Sequence, residues 1–213
     1  MHFLITAGPT REPIDPVRYL SNRSSGKMGY ALAGAAFEAG HTVTLISGPV
    51  AISAPVGVPV IHVETAQEMF DAVAARIKGA DVAIFCAAVA DYRVASVAGE
   101  KIKKSKDELT LTLVKNPDIL GSARSVFGFA GFLVGFAAET SDLARHAFDK
   151  LKRKKCDLLV ANDVSRSDIA FDREVNEVAL FFPDGSREDL PLASKREIAA
   201  ALIGRIESLS RKK

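Results

Sequence analysis

Three stretches of the chain carry residue types that can handle a small polyanion. The first is a long loop, Gly8 to Gly29, ending in Ser24-Ser25-Gly26-Lys27-Met28-Gly29 directly before a helix rich in small residues. Glycines let backbone approach a ligand, and the N–H groups and dipole at a helix start favour phosphate. A solvated loop with a glycine helix start fits the same residues equally well on the local pattern. The second is the lysine cluster Lys101, Lys103, Lys104 and Lys106, which by itself is equally a solvated charge run. The third lies around Lys150 and Lys154, which are spaced to share one helix face. Those cations could instead complement the dipole of their own helix. Asp91 closes an apolar run, where it could bind a magnesium ion or cap a turn, and Asn22 in a polar loop reads locally as a turn residue.

The glycine spacing argues against two familiar nucleotide loops. A dinucleotide fingerprint needs three glycines tightly after the first strand, whereas Gly8 and Gly26 are far apart. A P-loop needs Ser or Thr after its lysine, and Met28 follows Lys27. An NAD(P)-dependent oxidoreductase of Rossmann type is the alternative that these absences weaken. A nucleotide-sensing module without catalysis would explain the basic clusters but not the separate loop Ser24–Gly29. The histidines, His2, His41, His62 and His146, have no nucleophile near them in sequence and read as structural.

Short apolar runs alternate with amphipathic segments, and these must position the loops. Strands are predicted at His2–Ala7, His41–Ile46, Val58–Val63 and Asp81–Ala90. Helices are predicted at Lys27–Ala39 and at Thr65–Lys78, the latter opened by a Thr65–Glu68 capping box. Leu109–Val114 alternates as a half-exposed strand does. Phe132–Phe136 and Asp157–Ala161 flank a helix Asp142–Lys154, and Ser194–Leu209 is a closing helix. Glu177–Phe182, Pro183-Asp184-Gly185 and Arg187–Leu190 read as a β-hairpin. The expected fold is α/β, Rossmann-like and doubly wound, with a mainly parallel sheet and a C-terminal β-hairpin excursion. Ligands then bind beyond the carboxyl ends of the strands. Residues 1–213 read as one domain, with a polar flap at Ala98–Glu108.

Composition sets the class. With 48% hydrophobic and 25% charged residues, the chain is an ordinary globular one. A net charge of +2 is too small to suggest a nucleic-acid or membrane-surface binder. The two cysteines, Cys86 and Cys156, imply neither a disulfide framework nor a zinc site. Neither a signal peptide nor an apolar stretch of bilayer-spanning length is visible, so a reducing cytoplasm is the expected compartment.

Several segments in order carry a more specific likeness. Ile5-Thr6-Ala7-Gly8-Pro9-Thr10-Arg11-Glu12-Pro13-Ile14-Asp15-Pro16-Val17-Arg18-Tyr19, then Ser21-Asn22-Arg23-Ser24-Ser25-Gly26-Lys27-Met28-Gly29, resembles the opening of bacterial phosphopantothenoylcysteine synthetases. Ala87-Ala88-Val89-Ala90-Asp91-Tyr92, Lys101-Ile102-Lys103-Lys104, Lys115-Asn116-Pro117-Asp118-Ile119, Gly135-Phe136-Ala137-Ala138-Glu139-Thr140 and Ala161-Asn162-Asp163-Val164 resemble the later motifs of that family.

The resemblance implies a ligase that joins 4'-phosphopantothenate to L-cysteine with CTP through an acyl-cytidylate, in coenzyme A biosynthesis. It implies Lys101 acting on the triphosphate and Asn22 on the acyl-cytidylate. CTP would meet Cys86 and Ala87 through backbone, together with Asp91, Lys115, Asn116, Pro117, Asp118, Ile119, Phe136, Lys150 and Lys154. Phosphopantothenate would meet Gly8, Asn22, Ser24, Gly26, Gly29 and Asn162. Mg2+ is expected on the triphosphate, with Asp91 as its candidate protein ligand. A homodimer is expected, with the hairpin Glu177–Leu190 as its candidate arm, and no nucleic-acid or membrane partner. In many bacteria the synthetase is fused behind a flavin-dependent decarboxylase, and nothing in this sequence resembles that partner.

Overall fold

A computed structural model of the protein describes residues 1–104, 108–139, 142–163 and 174–211. In chain order the elements are β1 (His2–Ala7), β2 (Arg11–Pro13), β3 (Tyr19–Ser21), α1 (Lys27–Glu38), β4 (Thr42–Ser47), β5 (Val60–His62), α2 (Ala66–Ala74), β6 (Val82–Phe85), β7 (Tyr92–Val94) and β8 (Leu113–Lys115). Then come α3 (Ile119–Ser125), β9 (Phe132–Glu139), α4 (Leu143–Lys154), β10 (Leu158–Asp163), β11 (Val175–Phe181), β12 (Arg187–Ser194) and α5 (Lys195–Ser210).

The main sheet runs β12-β11-β10-β9-β6-β1-β4-β5. From β10 to β5 every pairing is parallel. β11 and β12 add antiparallel strands at one edge. Taken in chain order, the parallel strands lie three-two-one-four-five-six, the doubly wound arrangement. The order reverses between β1 and β6, and that switch point places a ligand crevice beyond Ala7 and Phe85.

Strand β1 shows why the sheet is buried on both sides. Phe3 and Ile5 pack with α1 and α5 side chains such as Leu32, Ile198 and Leu202. Leu4 packs on the other face with Leu133 of β9 and with Met69 of α2 and Leu151 of α4. A strand covered on both faces reads as a continuous apolar run rather than an alternating one. His2 and His41 serve this framework. The His2 ring bonds Gly79 O at 2.9 Å and Thr44 Oγ1 at 2.8 Å, and His41 stacks on Phe3 with centroids 4.9 Å apart.

The expected fold class holds, with local corrections. The strand predicted over Asp81–Ala90 stops at Phe85, because the following backbone turns its hydrogen bonds to the first loop. The helix predicted over Thr65–Lys78 keeps its capping box but ends at Ala74, and a single 3-10 turn, Ile77–Gly79, follows. The strand predicted over Leu109–Val114 shrinks to Leu113–Lys115 and pairs with β7 in a separate ribbon outside the main sheet. Helix α3 was not anticipated, although Asp118 before Ile119 and Leu120 is an N-cap signal. The C-terminal hairpin is present and longer than expected, and it lies in the sheet as its edge. Among the described residues no helix is long and apolar enough to cross a membrane, and both cysteines are free.

Gly48, just after β4, is the tightest backbone crossing. A Cβ there would lie 1.8 Å from Pro9 O. Gly48→Ala must therefore push apart the loops that follow β1 and β4. It should cost at least about 2 kcal/mol of unfolding free energy, by the general penalty for overpacking. Gly79→Ala, with nothing within 4 Å of the added Cβ, is the control and should stay within about 0.5 kcal/mol. Urea unfolding of both variants checks this, and equal midpoints would contradict the crossing.

Candidate active site

Beyond the switch point the ends of β1 and β6 stay joined. Ala88 N–H donates to Gly8 O at 2.9 Å, and Thr10 N–H donates to Ala88 O at 3.3 Å. Side chains complete the seam. Buried Thr10 accepts from Ala90 N at 3.0 Å through Oγ1, and Thr6 Oγ1 accepts from Ala87 N at 3.3 Å. The Asn22 amide donates to Ala88 O at 2.9 Å. Two cavities open beside this seam.

The first cavity, about 580 Å3, is lined by Ala87, Asp91, Lys115, Asn116, Pro117, Asp118, Ile119, Phe136, Lys150 and Lys154 among others. Its floor is apolar, with Met69, Phe85, Val89 and Leu120, and its rim is cationic, with Arg153 added to the expected lysines. Asn116 holds the Lys115–Ile119 segment in place. Its amide donates to Ala90 O at 2.8 Å and accepts from Arg93 at 3.0 Å. Lys150 donates to Phe136 O at 2.9 Å, while Lys154 pairs with Asp118. Burial pushes the Asp118 carboxyl up, but the Lys154 ammonium and the Gly121 N–H overcome this and hold it below its usual range. An anionic group entering here meets an ammonium already drawn to a carboxylate.

The second cavity, about 540 Å3, is lined by Asn22, Ser24, Gly26, Gly29, Cys86 and Asn162, again with others. Gly26 caps α1 in the left-handed region, at φ +78°, without a side chain to bond the first-turn N–H groups. Both cavities share Ala87, Val89, Asp91, Phe136 and Lys150. Cys86 lines the second cavity, whereas the other residues expected to meet CTP, apart from Lys101, line the first. Burial pushes its thiol up to about 12, so it remains protonated at neutral pH.

Two expected residues line neither cavity. Gly8, at φ +73°, packs against Gly48 O and Val50, so its glycine is required by loop packing. Lys101 stands exposed on the described part of the flap. Residues 105–107 of the expected flap, with Lys106, and Thr140 and Val164 of the quoted motifs lie outside the described residues. The carboxylate of buried Asp15 accepts from Ile102 N–H at 3.1 Å, and Arg18 donates to Ile102 O at 3.1 Å. The Arg18 guanidinium holds the Asp15 carboxyl far below the usual range against the opposing effect of burial. A depressed pKa means the tether is fully present above about pH 4, the unfolded value, and is lost only as pH falls below it. Arg23, Lys27 and Met28 of the quoted loop also line the second cavity, and so do Asn176 and Lys195, which the sequence reading does not single out. Separation in sequence hides these last two, which come from β11 and α5.

Asp15→Asn at neutral pH should therefore free the flap root. Tryptic cleavage at Lys101, Lys103 and Lys104 should speed up severalfold relative to wild type. Unchanged cleavage would show that Asp15 does not restrain Ile102.

Comparison with known proteins follows the same outline. Residues 1–209 match the DNA/pantothenate metabolism flavoprotein C-terminal domain. The chain is 52% identical over 208 residues to the coenzyme A biosynthesis bifunctional protein CoaBC of Vibrio vulnificus, covering 97% of this chain and 52% of that protein. It is 48% identical over 209 residues to CoaBC of Escherichia coli, covering 97% of this chain and 51% of that protein. The chain thus spans about half the length of the curated relatives it matches. A crystal structure of the C-terminal domain of CoaBC superposes with a TM-score of 0.85 at 39% identity, covering 100% of this chain and 96% of that one. The DNA/pantothenate metabolism flavoprotein from Streptococcus pneumoniae gives a TM-score of 0.85 at 22% identity, covering 98% of this chain and 99% of that one, which shows the shared fold alone. Nothing in these relatives favours the oxidoreductase alternative. The chain belongs to the family of DNA/pantothenate metabolism flavoprotein C-terminal domains, the family of the C-terminal half of CoaBC.

Proposed function

We propose that this chain joins 4'-phosphopantothenate to L-cysteine, driven by cleavage of CTP. The observation that carries the reading is the pair of cavities with a common wall at Ala87, Val89, Asp91, Phe136 and Lys150. CTP takes the first, with its triphosphate toward Lys115, Lys150, Arg153 and Lys154. Phosphopantothenate takes the second, with its phosphate toward the first turn of α1. The carboxylate oxygen then attacks the α-phosphorus, the bond to pyrophosphate breaks, and an acyl-cytidylate forms. The cysteine amine attacks the acyl carbon, CMP leaves, and the amine proton passes to solvent. Holding both reactants at one wall replaces a costly encounter by an oriented contact.

Residues of the chain divide the work. Lys101 reaches the triphosphate by closure of the flap, since its described position is outside both cavities. Asn22 donates to the developing acyl oxyanion by giving up its bond to Ala88 O. Among the described residues there is no cluster of three or more His, Cys, Asp or Glu that could hold a metal. A single carboxylate, Asp91, at both cavities fits Mg2+ held mainly by phosphate oxygens and water. Bound there, Mg2+ would offset triphosphate charge.

A pyrophosphate assay tests the reading. Release should require CTP and phosphopantothenate together, and CMP release should also require cysteine. ATP should support much slower turnover, and equal turnover would contradict the nucleotide assignment. Pyrophosphate release from CTP alone would contradict the ligase reading itself. In the same assay Asn22→Asp should retain a burst of pyrophosphate but convert the intermediate about a hundredfold to a thousandfold more slowly. Wild-type turnover would reduce Asn22 to a seam contact, and loss of the burst with normal substrate binding would put its role before acyl transfer.

A further inference from the structure

The second cavity has a wall that the proposed reaction has not used. Lys195, the first residue of α5, is only 7% exposed and lines it, and so does Asn176 of β11, 5% exposed. A lysine is almost never this buried without a reason, because desolvating an ammonium is costly unless anionic or polar groups meet it. The backbone fixes where it sits. Ser194 caps α5 by accepting from Glu197 N–H, and Lys195 N–H donates to Glu174 O at 2.8 Å. The Glu174 carboxylate pairs with Lys27, the first residue of α1, and lies near enough to the Lys195 ammonium for that charge to help hold it below its usual range. The Lys195 ammonium is close enough to Cys86, at the strand-end floor of the same cavity, to oppose the upward shift of its thiol.

Asn176 joins this wall to α1. Its amide nitrogen lies 4.0 Å from Met28 Sδ, a weak acceptor, while its Oδ1 accepts from Glu177 N–H at 3.1 Å. A stronger acceptor entering beside the first turn of α1 would replace the thioether. The N–H groups of that turn, the Asn176 amide and the Lys195 ammonium thus belong to one cavity and are all donors. Donors from three chain segments around one space fit a group with many acceptor oxygens, and a phosphomonoester dianion is such a group.

We infer that Lys195, assisted by Asn176, binds the phosphate of the acid substrate, so that the C-terminal elements β11 and α5 set the preference for the phosphorylated acid. This rests on the reading of the second cavity as the phosphopantothenate site. The role is binding, not chemistry at the carboxylate, because the shared wall with the nucleotide cavity is formed by other residues.

Calorimetric titration with phosphopantothenate and with unphosphorylated pantothenate tests it, on wild type, Lys195→Met and Asn176→Ser. Wild type should bind the phosphorylated acid much more tightly. Lys195→Met should weaken phosphopantothenate about tenfold to a hundredfold, the range for a lost bond to a charged group, and leave pantothenate unchanged. Asn176→Ser should move the same way by a smaller factor, and it carries the test if Lys195→Met fails to fold. Thermal unfolding of each variant identifies that case. Equal weakening of both acids, or no change in a folded variant, overturns the inference and leaves the cavity assignment standing. Failure of wild type to bind phosphopantothenate overturns the assignment and the inference together.

Discussion

The site depends on the seam between the loops that follow β1 and β6. Thr6 and Thr10 each accept a backbone N–H through a buried hydroxyl, and Ala88 both donates to Gly8 and accepts from Thr10 and Asn22. A doubly wound sheet splits its helices at this point, so the two strand ends face a crevice with no crossover to cover them. Without the seam, each loop would leave polar backbone groups to water in that crevice. With it, Cys86–Asp91 becomes a rigid partition with a cavity on either side.

Electrostatics then differ on the two sides. The first cavity collects Lys115, Lys150, Arg153 and Lys154 with Asp118 as the internal counter-ion. The second has a helix start without a side-chain cap and lysines at the ends of distant elements. Lys150, bonded to Phe136 O, stands where the sides meet. The fold thus gathers cations from α4, α1 and α5 around an apolar partition, although the chain as a whole is nearly neutral at +2.

Much of the scaffold was legible because its signals are local. The apolar run of β1, the Thr65–Glu68 capping box and the Pro183-Asp184-Gly185 turn each dictate their own geometry. Cys86–Ala90 was not legible: small apolar residues suit a strand and a tightly packed loop equally, and the decision lies with Thr6 and Thr10. The alternation of Leu109–Val114 misled for a related reason, since a ribbon with an exposed face alternates as a sheet edge does. For the site, segments whose residues are adjacent, Ser24–Gly29 and Lys115–Ile119, are legible as units, and each lines one cavity. Gly8, expected beside phosphopantothenate, lines neither cavity, and its close approach to Gly48 and Val50 needs a glycine. Lys195 and Asn176 carried no local signal, because α5 and β11 join the Ser24–Gly29 loop around one cavity only in the folded chain.

The central claim is that carboxylate and α-phosphate meet at the shared wall. Oxygen tracing tests it most directly. With phosphopantothenate labelled by 18O in its carboxylate, complete turnover with CTP and cysteine should place one labelled oxygen in the phosphate of each CMP and none in pyrophosphate. Label in pyrophosphate, or unlabelled CMP from labelled acid, would contradict a direct attack across that wall.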